Sequence, residues 1–267
     1  MPPADILKRI VAARRERLGL APVPQAPPLF TESFSSQRPS GTNPFVSALR
    51  AKRGHAVIAE VKMGSPRLGS LAGRFDPEKQ AAAYAAAGAA ALSVVVEPDF
   101  FFGSYELLAA CKAASGLPAI AKEFVVDERQ LDWAVEAGAD AILLIASLYE
   151  AGDLSAWGAA ARARGLAPLV ETHDAADVAL LFASGAGSDW EMVGINNRDL
   201  RTFDVDLERS IALRPALPAG ALAVAESGIA TRQDVDRLAA AGFDAYLVGE
   251  SLLLCENPAQ KLGELFG

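Results

Sequence analysis

Two lysines stand where they could act as acids, directly after segments typical of buried strands. The chain has seven lysines against eighteen arginines, and Lys62 and Lys122 follow the segments VIAEV and LPAIA. Glu60 and Glu123 lie close to them in the sequence. An amine can lose a proton near neutral pH when it is partly desolvated, whereas a guanidinium cannot. The pattern therefore favours acid catalysis at these positions over the plain alternative of two solvated loop lysines.

Eight near-continuous apolar segments predict strands that are buried on both faces. They span residues 57–61, 91–96, 118–121, 140–145, 167–170, 192–195, 222–225 and 244–248, and their starts are 22 to 34 residues apart. That spacing leaves room for a helix after each strand, as in parallel sheets covered by helices. The predicted fold class is α/β, a (β/α)8 TIM barrel. A doubly wound open sheet is the alternative, but the sequence has no GxGxxG after the first segment and no GxxxxGKS or GxxxxGKT.

The first fifty residues do not follow this repeat. Ile6, Ile10, Val11 and Leu18 have helical spacing, which predicts an extra N-terminal helix over 5–18 that ends before the proline-rich segment APVPQAPPLF. We expect this helix and its linker, residues 1–50, to close the N-terminal side of a barrel formed by residues 51–267. Together they would make a single domain of residues 1–267. A helix lying on a membrane surface is the alternative.

Composition narrows the classes of function. An apolar fraction of 51% can build a large core, and no apolar stretch reaches the roughly eighteen residues of a membrane span. The N-terminus has no apolar signal core, so we expect a cytoplasmic protein without a membrane partner. A net charge of −8 argues against a nucleic-acid partner. With two cysteines and two histidines we expect no disulfide framework and no metal site, and both cysteines fit small buried hydrophobes.

Polar residues follow the predicted strands, at the ends that meet on one face of such a barrel and carry its active site. These residues are Glu60 and Lys62, Glu97, Lys122 and Glu123, Ser147, Glu171, Asn196, Asn197 and Arg198, Glu226 and Ser227, and Gly249, Glu250 and Ser251. Side chains that end an apolar strand point into the mouth, where charge is costly unless it is paired. We therefore predict a paired network of Glu60, Lys62, Lys122, Glu171 and Glu226 with shifted pKa values, a common source of acids and bases at pH 7.

The last two predicted strands end in segments suited to a phosphate group. ESGI spans residues 226–229, and VGES spans residues 248–251. The loops after these two strands bind phosphate in many such barrels, through glycine-exposed amides, hydroxyl groups and helix N-termini. Simple helix capping is the alternative.

Seven segments, in this order and spacing, resemble the indole-3-glycerol-phosphate synthases of tryptophan biosynthesis. They are EVKMGSPRLG, EPDFFFGS, KEFVVDERQL, LVETHD, GINNRDL, AESGI and VGESLL, and the resemblance runs from about residue 45 to the C-terminus. The extra N-terminal helix is also similar to that family. The resemblance implies a carboxy-lyase that converts 1-(2-carboxyphenylamino)-1-deoxyribulose 5-phosphate to indole-3-glycerol phosphate, carbon dioxide and water. It implies no metal and no organic cofactor.

The resemblance also implies catalytic roles. Lys122 resembles the general acid that protonates the ketose oxygen as the aromatic carbon attacks. Glu171 resembles the carboxylate that balances charge on the anilinic nitrogen and later takes a proton. Lys62 resembles the lysine that pairs with the substrate carboxylate and serves as a second acid when water leaves. Glu60 and Glu226 would hold these amines charged and oriented.

Substrate-binding residues follow from the same resemblance. Asn196 would bind the hydroxyl region of the substrate. The residues that resemble phosphate contacts are Ser65, Ser227, Gly228, Gly249, Glu250 and Ser251. Arg198 matches a family arginine, and both ligand contact and a structural ion pair stay open for it.

Several positions depart from the usual pattern of the family. Val96 stands where threonine usually precedes the glutamate of the second strand, so a hydroxyl is missing beside Glu97. Ala121 and Glu123 stand where arginine and aspartate usually flank the catalytic lysine, which changes the charge around Lys122. Residues 187–192, GSDWEM, are a longer segment than usual, which we interpret as a loop insertion.

Three other functions stay open at this point. An isomerase acting one step earlier also uses a phosphate-binding barrel, but it typically has a cysteine where Glu60 stands. A noncatalytic phosphate-binding or scaffold barrel would not need two lysines and three glutamates at one mouth. A membrane-associated module is disfavoured by the negative charge. The expected partner is a small-molecule substrate, and we expect a monomer.

Overall fold

Parallel strands close into a barrel in the computed structural model, which describes residues 6–20, 42–184, 190–199, 204–253, 255 and 257–267. Within these residues eight barrel strands are formed: β1 (Ala56–Val61), β2 (Ala91–Val95), β3 (Ala119–Lys122), β4 (Ala141–Ile145), β5 (Ala167–Thr172), β6 (Met192–Asn196), β7 (Leu222–Glu226) and β8 (Ala245–Val248). Each strand pairs in parallel with the next one in the sequence, and β8 pairs with β1. The predicted (β/α)8 barrel is confirmed.

Helices follow the strands on the outside of the barrel. The helices in the described ranges are α1 (Ile6–Arg17), α2 (Pro44–Ala51), α3 (Pro77–Ala86), α4 (Tyr105–Ser115), α5 (Arg129–Glu136), α6 (Ala151–Ala163), α7 (Ala175–Ala183), α8 (Leu207–Leu213), α9 (Arg232–Ala240), α10 (Glu250–Leu253) and α11 (Pro258–Phe266). A short antiparallel hairpin, Gly64–Ser65 with Gly69–Ser70, lies in the loop after β1. One buried cluster joins the outer faces of the strands to these helices, and a second fills the barrel itself.

The interior of the barrel changes from apolar to charged toward the carboxyl ends of the strands. The odd strands place one buried apolar layer inside, which consists of Ile58, Ile120, Leu169 and Val224. Two residues later on the same strands lie Glu60, Lys122, Glu171 and Glu226. Side chains two apart on a strand share a face, and alternate strands contribute to one layer in such barrels. The last layer of the odd strands is therefore ionic.

Helix α2, rather than α1, closes the N-terminal end of the barrel. Phe45, Val46 and Leu49 are fully buried and cluster with the alanines that begin several strands, Ala56 and Ala91 among them. Asn43 caps the helix through the amides of Phe45 and Val46, and its amide group donates to the carbonyl oxygens of Asp140 and Gly165. This short apolar helix begins within residues 1–50, which the sequence interpretation had divided into a helix and a linker only.

Helix α1 lies at the opposite end, against the loops after β2 and β3, so the prediction that it closes the N-terminal side was wrong. Arg14 is 3% exposed and pairs with Glu123 at 2.5 Å, and Arg17 pairs with Asp99 at 2.5 Å. A helix that buries an arginine needs a carboxylate partner, and the carboxyl ends of the strands supply one. Asp5 and the proline-rich linker lie outside the described residues.

The structure also bears on the predictions made for the two cysteines and for the segment 187–192. Cys111 is buried, as predicted, but Cys255 is only partly buried, so the prediction was wrong for that residue. Of the segment interpreted as an insertion, residues 187–189 lie outside the described residues, whereas Trp190 is buried and its ring lies under the guanidinium of Arg162 at 5.3 Å. Within the described ranges, no helix is both long enough and apolar enough to cross a membrane.

Candidate active site

A cavity opens at the carboxyl end of the barrel, and most of the predicted site residues line it. Ten of the thirteen predicted residues form part of its wall: Glu60, Lys62, Ser65, Lys122, Glu171, Asn196, Arg198, Ser227, Gly249 and Glu250. Glu226 is fully buried and reaches the cavity through its contact with Lys122. Gly228 and Ser251 lie in the adjoining loops and do not form part of this wall. Val95, Leu143, Ile145 and Leu247 give the cavity an apolar floor.

Lys122 is held between two buried carboxylates. Its Nζ lies 2.7 Å from Glu226 Oε2 and 3.5 Å from Glu171 Oε2. Burial lowers the pKa of Lys122, but the charges of Glu226, Glu171 and Glu60 outweigh burial and raise this pKa above its ordinary value. From the sequence we expected partial desolvation to lower the pKa of this amine toward neutral pH, and that expectation was wrong. Lys122 is an ammonium group with a proton to donate.

Glu226 lies between Lys122 and the backbone of the neighbouring strand. Gly194 on β6 leaves room for it, because a Cβ at Gly194 would overlap Oε1 of Glu226. Burial raises the pKa of Glu226, Lys122 lowers it and Glu171 raises it, with a net increase to about 7. No described residue donates a hydrogen bond to Oε1. Glu226 therefore binds a proton more readily than an ordinary glutamate does.

Glu171 faces a different cation through each of its oxygens. Oε2 faces Lys122, and Oε1 lies 3.1 Å from Nε2 of His173. Burial raises the pKa of Glu171, but Lys122, His173 and Asn196 together hold it well below the usual range of a glutamate. Glu171 is therefore ionised and suited to stabilise a developing positive charge.

Lys62 and Glu60 form a second pair on the first strand and its loop. Lys62 Nζ donates to Glu60 Oε1 at 2.9 Å. Burial raises the pKa of Glu60, but Lys62 and Lys122 lower it, with a net decrease. Gly249, at the end of β8, leaves space for this carboxylate, since a Cβ there would overlap it. The predicted network of two lysines and three glutamates is thus a contiguous arrangement.

The predicted phosphate residues do not all present their side chains to the cavity. Ser227 lies in the left-handed region at φ 66°, and the side-chain amide of Asn197 donates to its carbonyl oxygen at 3.1 Å. Ser65 and Ser227 both line the cavity. The hydroxyl of Ser251, in contrast, donates to the carbonyl oxygen of Ile229 at 2.8 Å. A role for Ser251 in phosphate binding stays a prediction, and its hydroxyl has a partner within the fold.

Two arginines converge on Glu250 beside these serines. Arg67, in the loop after β1, pairs with Oε1 of Glu250, and Arg198 lies 3.1 Å from Oε2. Arg67 was not recognised from the sequence. Of the two possibilities left open for Arg198, the ion pair is present, and its guanidinium also borders the cavity.

A pair of aromatic rings, also missed in the sequence, lines the same cavity as the ionic layer. The rings of Phe101 and Phe124 lie 6.0 Å apart at 29° and both line the cavity. The loop that carries Phe101 is organised by Glu97, whose carboxylate accepts hydrogen bonds from the amides of Asp99, Phe100 and Phe101. Glu97 therefore stabilises its own loop and is not part of the ionic layer. The run of three phenylalanines in EPDFFFGS was the available signal.

Glu123 also points away from the ionic layer. Its Oε2 accepts from Arg14 at 2.5 Å and from the hydroxyl of Tyr105 at 3.2 Å. Burial raises the pKa of Glu123, Arg14 lowers it, and the net change is an increase. The altered charge expected around Lys122 is therefore balanced by a residue of α1.

Among the described residues, no group of three or more metal-ligating side chains is arranged to hold a metal ion.

A closed barrel whose last interior layer is ionic, beside serine and arginine side chains, defines a (β/α)8 barrel with a site for acid–base chemistry on an anionic ligand. The family model for indole-3-glycerol phosphate synthase matches residues 7–265. The chain therefore belongs to the indole-3-glycerol phosphate synthase family. It is 40% identical to the indole-3-glycerol phosphate synthase of Variovorax paradoxus, covering 98% of this chain and 99% of that protein. It is 41% identical to that of Burkholderia ambifaria, covering 98% and 99%.

Solved structures of low sequence identity share the fold. A thiamine phosphate pyrophosphorylase from Pyrococcus furiosus has a TM-score of 0.58 at 13% identity, covering 80% of this chain and 95% of that one. The orotidine 5'-phosphate decarboxylase from Pyrococcus horikoshii has a TM-score of 0.56 at 16% identity, covering 71% and 90%. At these identities the likeness concerns the barrel alone.

Proposed function

We propose that this chain catalyses the indole-3-glycerol phosphate synthase reaction of tryptophan biosynthesis. In this reaction 1-(2-carboxyphenylamino)-1-deoxyribulose 5-phosphate closes to indole-3-glycerol phosphate with loss of carbon dioxide and water. The observation that carries the proposal is the position of Lys122, 2.7 Å from Glu226 and 3.5 Å from Glu171 at the carboxyl end of the barrel. The membership of the chain in this family supports the same reaction.

Ring closure requires an acid and a carboxylate at the same time. The ring carbon that bears the carboxylate attacks the ketose carbon, a carbon–carbon bond forms, and the carbonyl oxygen takes a proton from Lys122. Aromaticity is lost, and positive charge develops toward the anilinic nitrogen, where Glu171 stabilises it. Charged groups that are already oriented in a largely apolar cavity are effective here because little reorganisation is needed.

The remaining steps first restore the benzene ring and then complete the aromatic indole. Loss of carbon dioxide returns the bonding electrons to the ring system. The hydroxyl group then leaves as water with a proton from Lys62, and Glu171 takes the proton released in forming the indole double bond. Lys62, held by Glu60 at 2.9 Å, also pairs with the substrate carboxylate before that group is lost.

The lining of the cavity offers apolar and cationic groups that suit the aryl group and the phosphate of this substrate. The Phe101 and Phe124 rings offer apolar faces for the aryl group. Ser65, Ser227 and the backbone at Gly249 suit the phosphate, and Arg67 and Arg198 supply local positive charge in a chain of net charge −8. Asn196 also lines the cavity and would bind the sugar hydroxyl groups.

Lys122→Met provides the direct test. On mixing the purified protein with the carboxyphenylamino sugar phosphate, indole fluorescence should appear with wild type, and the rate should fall roughly 10²- to 10⁴-fold with Lys122→Met. Lys79→Met is the matched control, because Lys79 is an exposed lysine on α3 with a side-chain exposure of 86%. Its rate should equal that of wild type.

A wild-type protein that yields no indole product would overturn the proposed function. A Lys122→Met enzyme with near-normal turnover would overturn the role of Lys122 alone. The single domain of residues 1–267, the monomeric state and the cytoplasmic location expected from the sequence stay predictions.

A further inference from the structure

His173 is a largely buried histidine that the proposed steps do not use. It follows β5 directly, and its ring is held between two carboxylates. Nδ1 lies 3.3 Å from Oδ2 of Asp177, and Nε2 lies 3.1 Å from Oε1 of Glu171. The same Asp177 oxygen accepts the backbone amide of His173 at 2.8 Å. The ring is therefore fixed at one end by α7 and touches the candidate catalytic carboxylate at the other.

This geometry decides the charge of the ring. A neutral imidazole has one N–H and one lone pair, so one of its nitrogens would set a lone pair against a carboxylate oxygen. An imidazolium avoids this repulsion and is attracted to both oxygens. Nε2 is poorly aligned for a hydrogen bond to any described residue, so its contact with Glu171 is chiefly an ion pair. Burial lowers the pKa of His173, but Asp177 and Glu171 outweigh burial and raise it to about 10.

We propose that His173 is a positioning residue for the synthase reaction, a permanently protonated imidazolium that Asp177 holds in place and that keeps Glu171 ionised and oriented. The inference rests on the proposed function and adds a residue to it. Lys122 donates its proton and loses its charge during turnover, whereas His173 stays charged. Glu171 therefore keeps one cationic partner at the moment when the other becomes neutral.

The charged groups around this pair come from several elements. Those that face Glu171 are Lys122 on β3, Glu226 on β7 and Glu60 on β1. Those that border the space beside His173, besides Asp177 on α7, are Lys8 on α1, Asp174 before α7, Asp199 after β6 and Arg209 on α8. Only Glu171 and Asp177 touch the ring as ion pairs among the described residues. These two carboxylates therefore set its charge.

NMR can test the charge of His173 without substrate, because the chain has two histidines. The imidazole Cε1–H signal that persists in His55→Gln belongs to His173. We expect this signal to keep its protonated position from pH 5 to pH 8, beyond the ordinary histidine range. In Asp177→Asn, which keeps both the ring and Glu171, the same signal should begin to titrate within that interval. A wild-type signal that titrates near pH 6.5 would overturn the inference.

Kinetics test the effect on Glu171. Without the adjacent positive charge the carboxylate binds a proton more readily, so the kcat/KM of His173→Gln should fall below that of wild type by a larger factor at pH 5 than at pH 8. Its kcat should fall more than its KM changes. His55→Gln is the matched control and should leave the profile unchanged. An active His173→Gln enzyme with the wild-type profile contradicts the inference, whereas a wild type without turnover contradicts the proposed function and leaves the NMR result to decide the charge of His173.

Discussion

Glu226 is a carboxyl group that supports the proposed acid, Lys122, without contacting the substrate in the proposed steps. It is buried, it contacts Lys122 at 2.7 Å, and its pKa is raised to about 7 mainly by burial. In the proposed mechanism Lys122 gives up its proton, the charge that Glu226 balances disappears, and Glu226 can then take up a proton itself. The pair can therefore share a proton over one catalytic cycle.

Ser227 and Ser251 should differ in their effect on substrate affinity. Ser227 lines the cavity, whereas the hydroxyl of Ser251 donates to Ile229. Removing a hydrogen bond to a charged group costs about 1.5–3 kcal/mol, which corresponds to roughly tenfold or more. Steady-state kinetics should show KM raised about tenfold in Ser227→Ala with kcat little changed, and a clearly smaller increase in Ser251→Ala. Equal KM values for the two variants would remove the Ser227 hydroxyl from the phosphate site.

The residues that could be predicted from the sequence are those that end strands. Lys122, Glu171 and Glu226 directly terminate apolar segments, so the period of the fold brings them together. Phe101 and Arg67 were missed because loop conformation alone decides where they point. His173 carried a readable signal, since it lies two residues after Glu171 in LVETHD and side chains two apart in extended backbone share a face.

At the scale of elements, α1 and α2 have different tasks, whereas the sequence interpretation recognised a single helix with a linker and expected them to close the N-terminal side. Helix α2 plugs the N-terminal end with apolar side chains. Helix α1 contacts the loops after β2 and β3 through arginines: Arg14 pairs with Glu123, Arg17 pairs with Asp99, and Arg9 lies 5.8 Å from the ring centroid of Phe100. Helix α1 thereby supports the loop that carries Phe101 and the residue that follows Lys122.

Arg14→Met should destabilise the protein strongly, because it leaves the buried Glu123 without its cationic partner. Breaking a buried ion pair on one side costs about 3–5 kcal/mol, whereas replacing both partners is often nearly neutral. Urea unfolding should therefore show a loss of about 3 kcal/mol in Arg14→Met and a partial recovery in the double variant with Glu123→Gln. The kcat of the single variant should fall as well, since Glu123 adjoins Lys122.

Arg17→Ala is the comparison for this helix. Its pair with Asp99 is half exposed, with side-chain exposures of 53% and 26%, and such pairs contribute up to about 1 kcal/mol. If Arg14→Met and Arg17→Ala lowered the free energy of unfolding by equally small amounts, the buried pair would not be what anchors α1.

The strands were predicted within one or two residues of their observed bounds because buried parallel strands are apolar throughout. The position of α1 could not be deduced in the same way. Helical spacing shows that Ile6 and Ile10 share a face, but it does not tell which end of a barrel that face meets. The decisive contact joins Arg14 to Glu123 across 109 positions, and no local pattern encodes such a pairing. Helix α2 was overlooked because its eight residues are too short for a clear period.

For the whole molecule, the barrel combines an apolar layer in its middle, which favours folding, with an ionic layer at the carboxyl ends of the strands, which opposes it. The apolar layer of Ile58, Ile120, Leu169 and Val224 is fully excluded from solvent. In the next layer, burial opposes the charge of each glutamate and of Lys122, and pairing among these groups and with Lys62 and His173 offsets that cost. The groups proposed to be catalytic thus lie where the apolar interior meets the cavity.

Glu226→Gln should change how stability depends on pH. The pKa of Glu226 rises from 4.5 to about 7 on folding, chiefly through burial. A group whose folded pKa is raised contributes stability that is present below its unfolded pKa and is lost as pH rises through the folded pKa. From about pH 4.5 to pH 7 the wild type should therefore lose stability relative to the glutamine variant, which cannot ionise.

Urea unfolding at pH 5 and pH 8 measures this difference directly. The free energy of unfolding of Glu226→Gln minus that of wild type should be larger at pH 8 than at pH 5. Glu264→Gln, at a half-exposed position on α11, supplies the baseline. A gap that is the same at both pH values would argue against a raised pKa for Glu226.

The glycines beside the buried acids limit how this site can evolve. Gly194 makes room for Glu226, and Gly249 makes room for Glu60. Each acid and its glycine form a unit in which one member cannot gain bulk unless the other gives way. Across relatives the two positions of each unit should covary, with any side chain at the glycine accompanied by a shorter residue in place of the acid. Mutational scans should find the glycines as intolerant of substitution as the acids themselves.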